Sequence, residues 1–341
     1  MTVQLRISAL SKWGSALQVL IDDLPDNHEN PLFKSIVQAQ NKNAWFAKSN
    51  STKALIEICN LLELNSLNKL LKAYVELEKE VIEPKVIGIV MAGNIPLVGF
   101  HDLLCVLVSG HKAKVRLSSD DSVLIPALTE ILFEMYPEFK NQIEYVSQLS
   151  GMDAVIATGS NNTARYFDYY FGKYPSLIRK NRNSVAVLGG HESDEDLKKL
   201  GHDIFDYFGL GCRNVSKLYV PEGYSFNPFF EAIESFSNLM EHNKYMNNYD
   251  YHRALFLLDG IPFLTNNFLI VRENAAYATP VSVINYEYYA SAIDLEAKLV
   301  SEKELIQCRL GLNGLPFGSS QQPDILDYAD GVDTMQWLLT L

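Results

Sequence analysis

The sequence predicts an α/β protein with a helical N-terminal region, a doubly wound parallel sheet and a second α/β domain. Three observations carry that expectation. Apolar residues recur at three- and four-residue spacing up to about residue 80. Short β-branched runs separated by helix-length segments follow, the pattern of a sheet buried on both faces. Beyond Gly190 a charged helix start leads into a second set of strand-like runs. A chain of 341 residues suggests about two domains.

In order along the chain, Leu55, Ile58, Leu61 and Leu62, then Leu67, Leu70, Leu71, Tyr74 and Leu77, mark helical faces. Asn50-Ser51-Thr52 supplies an N-cap for that run, and Glu83-Pro84 closes the region. The strand candidates of the first sheet are Val86–Met91, Ala113–Leu117, Ile143–Val146, Asp153–Ala157 and Ser184–Leu188, with helices expected over 97–110, 122–136 and 161–174. Ligands of such sheets bind at the carboxyl ends of the strands. Met91-Ala92-Gly93-Asn94, Leu117-Ser118-Ser119, Thr158-Gly159-Ser160 and Leu188-Gly189-Gly190 are therefore expected to form one rim. Later strand candidates are Ser216–Pro221, Ala254–Leu258, Phe268–Val271 and Val281–Ile284. No internal repeat or low-complexity tract interrupts the chain.

Composition excludes several classes. A net charge of −12 opposes a nucleic-acid backbone or an anionic membrane surface as partner. Four cysteines without short paired spacings give neither a disulfide framework nor a zinc signature, so no metal is expected. The N-terminus lacks the basic and apolar regions of a signal peptide, and no run reaches the ~18 apolar residues of a membrane span. A cytoplasmic location is the expectation.

Of the cysteines, Cys59 and Cys105 sit in apolar runs and Cys308 in an amphipathic helix candidate, which is how small core residues read. Cys212 differs. Phe208-Gly209-Leu210-Gly211-Cys212-Arg213-Asn214 joins a helix to a strand, and glycines there allow a substrate to approach the backbone. A nucleophilic thiol needs that accessibility, although an inert buried thiol fits the same spacing. Asn94 serves equally as a helix cap. His101-Asp102 reads as a dyad or as charges at a helix start, and Tyr166–Phe171 as helix packing.

Taken together, these motifs resemble the aldehyde dehydrogenase superfamily. Ala92-Gly93-Asn94-Ile95-Pro96 resembles its first-strand loop, Val115-Arg116-Leu117-Ser118 its adenosine-binding strand, and Thr158-Gly159-Ser160 its pyrophosphate turn. Leu188-Gly189-Gly190 resembles its Leu-Gly-Gly turn, and Gly211-Cys212 its nucleophile. The stretches Ala92–Gly110, Lys180–Val187 and Gly209–Pro221 resemble more narrowly the LuxC-type acyl-CoA reductases.

The resemblance implies an aldehyde-dehydrogenase-like fold divided as 1–80 (helical region), 81–190 (nicotinamide-cofactor domain), 191–325 (catalytic domain) and 326–341 (tail). It implies Cys212 as nucleophile, Asn94 as oxyanion donor, and Met91, Ala92, Arg116, Ser118, Gly159, Ser160, Leu188 and Gly189 at the cofactor. The substrate would be an acyl-CoA or acyl-carrier thioester, and relatives of that kind commonly form homo-oligomers.

Two departures bear on chemistry. Hydrolytic members carry a glutamate in Leu-Glu-Leu-Gly-Gly, and Val187 stands at the matching place. Ala275–Val281 lacks the glutamate that anchors the nicotinamide ribose. Arg116, with Ser119 where NAD-preferring relatives place a glutamate, favours NADPH, with NADH as the other choice. Arg116 pairing with Asp120 or Asp121 is the structural alternative. His191 and Glu192 are candidates for the proton donor or for a solvated helix start. Tyr286, Tyr288, Tyr289 and Tyr328 are candidates for an acyl pocket. The competing functions are a hydrolytic aldehyde dehydrogenase and a catalytically degenerate binding subunit.

Overall fold

The computed structural model describes the chain except for residues 26, 80–82 and 160 and the side chains of 161 and 162. Two compact units make up the molecule. The first comprises Met1–Lys180 with Asp324–Leu341, and the second Asn181–Pro323.

The first unit opens with α1 (Val3–Asp22), α2 (Pro31–Lys42), α3 (Lys48–Leu62) and α4 (Leu64–Ala73). These helices share the unit's core rather than forming a domain of their own. Trp13 is fully buried, stacks near Phe100 with ring centroids 5.7 Å apart, and donates from Nε1 to the Leu128 carbonyl at 3.2 Å. The α3 helix starts earlier than its Asn-Ser-Thr signal suggested. Ala47 holds the cap position and Ser51 lies buried inside the helix, its hydroxyl 3.4 Å from the Phe46 carbonyl.

The first sheet is β1 (Val86–Val90), β2 (Lys112–Arg116), β3 (Ile143–Tyr145), β4 (Ala154–Thr158) and β5 (Ser176–Arg179), with the helices α5 (Phe100–Ser109), α6 (Leu124–Met135) and α7 (Asn161–Phe171) between them. All strands are parallel in the order β3-β2-β1-β4-β5. The order reverses between β1 and β4, so the crevice at their carboxyl ends is the place where such a sheet binds a ligand. The Tyr166–Phe171 run divides by helical spacing: Phe167 and Phe171 pack in the core, while Tyr166, Tyr169 and Tyr170 are exposed.

The second unit holds β6 (Asn183–Val187), α8 (Asp194–Phe205), β7 (Val215–Pro221), α9 (Asn227–Ala232), α10 (Asn243–Leu258), β8 (Leu264–Thr265), β9 (Ile270–Glu273), β10 (Val283–Tyr289), α11 (Ala292–Ser301) and β11 (Ile306–Gly311). Its sheet runs β11-β6-β7-β10-β9-β8, with only the β8–β9 pair antiparallel. The chain then returns to the first unit, where α12 (Thr334–Leu339) buries Met335 and Leu338 completely. Residues 326–341 are therefore part of a core, not a loose tail.

Three sequence expectations are corrected. Ser184–Leu188 forms a strand, but β6 belongs to the second sheet, and the edge strand of the first sheet is β5. Ala254–Leu258 is the last turn of the 16-residue α10, since leucine and alanine favour helix once a longer segment surrounds them. Cys308 lies in β11 rather than in a helix. Among the described residues no helix is long and apolar enough to cross a membrane, and no His/Cys/Asp/Glu group could hold a metal ion.

Candidate active site

Cys212 sits in a four-residue turn between α8 and β7, and the structure shows what shapes that turn. The Asn214 N–H donates to the Gly211 carbonyl at 3.1 Å, while the Gly211 N–H donates to Asn214 Oδ1 at 2.8 Å. Gly211 and Asn214 thus lock each other from both sides, with Cys212 and Arg213 as the central residues. The Asn214 amide nitrogen reaches the carbonyls of Asp203 (3.1 Å), Ile204 (3.4 Å) and Asp206 (2.7 Å). It satisfies the orphan carbonyls at the end of α8, as a C-terminal cap does. At 2% exposure Asn214 is a buried hub. Sequence reasoning missed it, although an asparagine closing a Gly-x-x-Asn turn was the available signal.

The turn is held from below as well. Ser184 Oγ on β6 donates to the Cys212 carbonyl at 2.9 Å and lies 2.9 Å from Cys308 Sγ. Burial pushes the Cys308 thiol up to about 11, with Ser184 and Arg213 acting in the opposite direction. Cys308 therefore stays protonated as a packing residue, as do Cys59, pushed up to about 12 by burial, and Cys105. Cys212 is half-buried and Cys59 and Cys105 fully so. Asp203 joins a third segment to the turn, accepting the N–H groups of Gly318 (2.6 Å) and Ser320 (2.9 Å).

The backbone leading into the turn is strained. Tyr207, Phe208 and Gly209 follow one another with φ of +54°, +58° and +75°. Left-handed conformation costs a non-glycine residue about 1–2 kcal/mol. Phe208 is kept there by burial and by stacking on His242 at a centroid distance of 4.2 Å.

In the first unit, Met91, Ala92, Gly93 and Asn94 follow β1, with Met91 buried and Asn94 exposed. The α5 cap position is Gly99, so Asn94 does not cap that helix. The β1 and β2 loops fit closely. A Cβ on Gly93 would stand 2.5 Å from Ser118 Oγ, and Asp121 accepts the Leu97 N–H at 2.7 Å. Burial pushes the Asp121 carboxyl up to about 6 against the pull of its backbone N–H donors. Arg116, at the end of β2, is exposed and makes no ion pair among the described residues. The expected alternative, a pair with Asp120 or Asp121, does not form among the described residues. Gly159 follows β4, where a Cβ would meet Phe167 at 2.9 Å and Thr163 at 3.0 Å. Ser160 lies outside the described residues.

Met91, Ala92, Arg116, Ser118 and Gly159 thus share the carboxyl end of the first sheet. Leu188 and Gly189 do not: they follow β6 in the second unit. There the Leu188 N–H donates to the Tyr219 carbonyl and its carbonyl accepts the Tyr289 hydroxyl at 2.7 Å. Val187 is fully buried, packed with Tyr219, Leu295 and Leu299. The last strand of the first sheet ends instead at Arg179, whose guanidinium binds Asp102 (2.6 Å), Thr334 Oγ1 (2.7 Å) and the Ala329 carbonyl.

Other candidates resolve into structural roles. Glu192 accepts the N–H groups of Gly189 and Gly190, and the His191 ring lies 3.1 Å from the Gly189 carbonyl, so both fold back on their own turn. His101 Nε2 contacts the Ile325 carbonyl at 2.9 Å while Asp102 pairs with Arg179. Tyr328 belongs to the first unit, where it donates to Tyr74 at 2.9 Å. Tyr286 packs on Phe226 and Tyr288.

No protein-family model and no curated protein matches the sequence. Solved structures do match. An NAD-dependent aldehyde dehydrogenase from Sinorhizobium meliloti shares 12% identity at a TM-score of 0.65, over 96% of this chain and 73% of its own. Aldehyde dehydrogenase 21 from Physcomitrella patens, solved with the product succinate, shares 12% at 0.63, over 100% and 84%. The indole-3-acetaldehyde dehydrogenase AldA of P. syringae, solved with NAD+ and IAA, shares 12% at 0.60, over 86% and 69%. With a parallel first sheet, a mixed second sheet and a helical N-terminus, the chain has the aldehyde-dehydrogenase-like fold.

Proposed function

We propose that the protein is a nicotinamide-dependent oxidoreductase that reduces an acyl thioester, such as a fatty acyl-CoA, to the aldehyde through an acyl group on Cys212. The observation that carries the reading is the Cys212 turn. A partly exposed thiol is presented on a backbone fixed by Asn214, while Cys59 and Cys105 are buried and burial pushes the Cys308 thiol up to about 11.

The residues of the first sheet's rim fit a nicotinamide dinucleotide. Arg116 is an exposed, unpaired guanidinium at the end of β2, suited to a 2′-phosphate and so to NADPH over NADH. Met91, Ala92, Ser118 and Gly159 stand on the same rim. When bound, the reduced cofactor supplies a hydride. Cys212, as the thiolate, attacks the thioester carbonyl and expels the CoA or carrier thiolate, leaving the acyl group on Sγ. The Cys212 N–H faces the developing oxyanion in this scheme, and Asn94 is its side-chain donor by sequence likeness. One such donor contributes about 2.7–4 kcal/mol.

Release by reduction rather than by hydrolysis is favoured because Val187 stands where the deacylating glutamate would, and Glu192, the carboxylate near that strand end, is engaged by the N–H groups of Gly189 and Gly190. The β6 end offers Val187 and Leu188, and the β5 end Arg179 and Lys180. Oxidation of NADPH by a series of acyl-CoA chain lengths, with NADH in parallel, tests the reading. Activity is expected in the wild type and not in Cys212→Ser. Robust acid formation from aldehyde without CoA would instead establish the hydrolytic enzyme.

A further inference from the structure

Of the three other cysteines, the fold brings Cys308 to the Cys212 turn. Cys59 and Cys105 are buried in the first unit, whereas Cys212 and Cys308 share the second and both keep partial exposure. The chemistry proposed above uses Cys212 alone and gives Cys308 no part.

The two cysteines meet through β6. Ser184, near its start, is fully buried. Its hydroxyl donates to the Cys212 carbonyl at 2.9 Å and lies 2.9 Å from Cys308 Sγ, so that carbonyl and that sulfur are no more than twice this distance apart. The Cys308 N–H donates to the same hydroxyl oxygen at 3.2 Å, which fixes the root of the Cys308 side chain. The sulfur also lies 4.0 Å from the carbonyl of Arg213, the residue after Cys212. Burial first pushes the Cys308 thiol up, and the nearby Cys212 adds to that push. An accessible nucleophilic thiol is readily oxidised, and a second thiol beside it decides whether the product is recoverable.

We propose that Cys308 is the resolving thiol for Cys212, and that the pair is a site of reversible oxidation by hydrogen peroxide. The Cys212 thiolate attacks the peroxide O–O bond, which gives a sulfenic acid on Cys212 and releases hydroxide. The Cys308 sulfur then attacks the sulfenic sulfur. An S–S bond forms, the S–O bond breaks, and the hydroxyl leaves as water with the Cys308 proton. Two electrons have passed from the sulfurs to the peroxide. A dithiol returns both cysteines through a mixed disulfide, itself becoming a disulfide. A bridge requires Cα atoms about 4.4–6.8 Å apart. Cys212 and Arg213 are the central residues of a turn locked at Gly211 and Asn214, so they are the part that adjusts. While bridged, Cys212 accepts no acyl group and is shielded from the irreversible sulfinic acid. This rests on the reading of Cys212 as an accessible nucleophile.

The full chain and Cys308→Ser, whose hydroxyl replaces the thiol beside Ser184, are held in hydrogen peroxide until oxidation is complete. Each is then digested without reductant and mapped by mass spectrometry. Expected in wild type is a peptide linking Cys212 to Cys308, from protein that runs as a monomer on a non-reducing gel. After dithiothreitol, iodoacetamide again labels wild-type Cys212 to its starting extent. In Cys308→Ser that labelling is lost, and Cys212 is found as the sulfinic acid. Absence of the linked peptide, or equal recovery of labelling in the two proteins, overturns the pairing. If the link forms while the reduced protein oxidises no NADPH with acyl-CoA, the pairing stands and the acyl-reductase reading falls. If acyl-CoA is reduced and no link forms, only the pairing falls.

Discussion

Replacing Asn214 by alanine tests the organisation of the Cys212 turn most directly. The side chain is buried, donates to the carbonyls of Asp203, Ile204 and Asp206, and accepts the Gly211 N–H. Its two amide protons serve three carbonyls, so about three hydrogen bonds are lost in all. At roughly 1 kcal/mol each, Asn214→Ala destabilises the second unit by about 3 kcal/mol. For a unit of this size that lowers Tm by about 10 °C. Differential scanning calorimetry reads the shift. Asn214→Asp discriminates further, because it keeps the acceptor for Gly211 but faces three carbonyl oxygens without a donor. It should be at least as damaging as alanine. The rate of Cys212 alkylation by iodoacetamide should change in both variants, since Asn214 is the far anchor of the turn. A Tm within a degree or two of wild type, with unchanged alkylation, would refute the view that Asn214 builds the turn.

Three further outcomes follow from the same contacts. His111 is buried, with Nδ1 accepting the Lys85 N–H at 3.2 Å and Nε2 at 3.1 Å from the Leu338 carbonyl. Burial, then Arg6 and Lys85, hold its pKa below the ordinary value against Leu338 and Asp153. The neutral ring is the folded form, so its stabilisation is full above pH ~6.5. It is lost as pH falls through the lowered folded-state value. Thermal unfolding from neutral pH downward should be less pH-dependent in His111→Gln, and identical slopes would count against it. Arg179→Met leaves Asp102 buried without its cation and should cost about 3–5 kcal/mol in denaturant unfolding, partly recovered by adding Asp102→Leu. Arg116→Ala should raise KM for NADPH about tenfold or more and leave KM for NADH nearly unchanged, because only the 2′-phosphate distinguishes the two. Equal effects on both would remove Arg116 from the phosphate.

Much of the fold was legible because local pattern and global role agree. The α3 and α4 periodicity, the four strand-like runs that became β1 to β4, and the Cys212 junction all carry their signal in adjacent residues. What failed was non-local. Asn183–Val187 has the composition of a buried strand in either sheet, and only its pairing with β7 and β11 assigns it to the second. The strand β5 is four residues long, three of them half-exposed, and is flanked by charge, so it had no apolar run to announce it. At the site, glycine and cysteine spacing identified the turn. Asp203, Ser184 and the three carbonyl partners of Asn214 were hidden because a hydrogen-bond hub depends on which groups the fold brings near, and no spacing rule encodes that.

Moving β6 to the second sheet changes the physical basis for the fate of the acyl group. Val187 is no longer a missing base; it is a fully buried core side chain whose carbonyl accepts the Leu312 N–H at 3.0 Å. Gly311 must stay a glycine for the same reason, since a Cβ there would come 2.3 Å from that carbonyl. A carboxylate at 187 would need to be buried among Tyr219, Leu295 and Leu299, where desolvation would keep it protonated. The residue that ends the first sheet is Arg179, a cation already held by Asp102 and Thr334. Neither position can deprotonate water, one because it is apolar and enclosed and the other because it is a guanidinium. The position that matches the deacylating glutamate therefore supplies no base, and that is the ground on which the proposed reductive release rests.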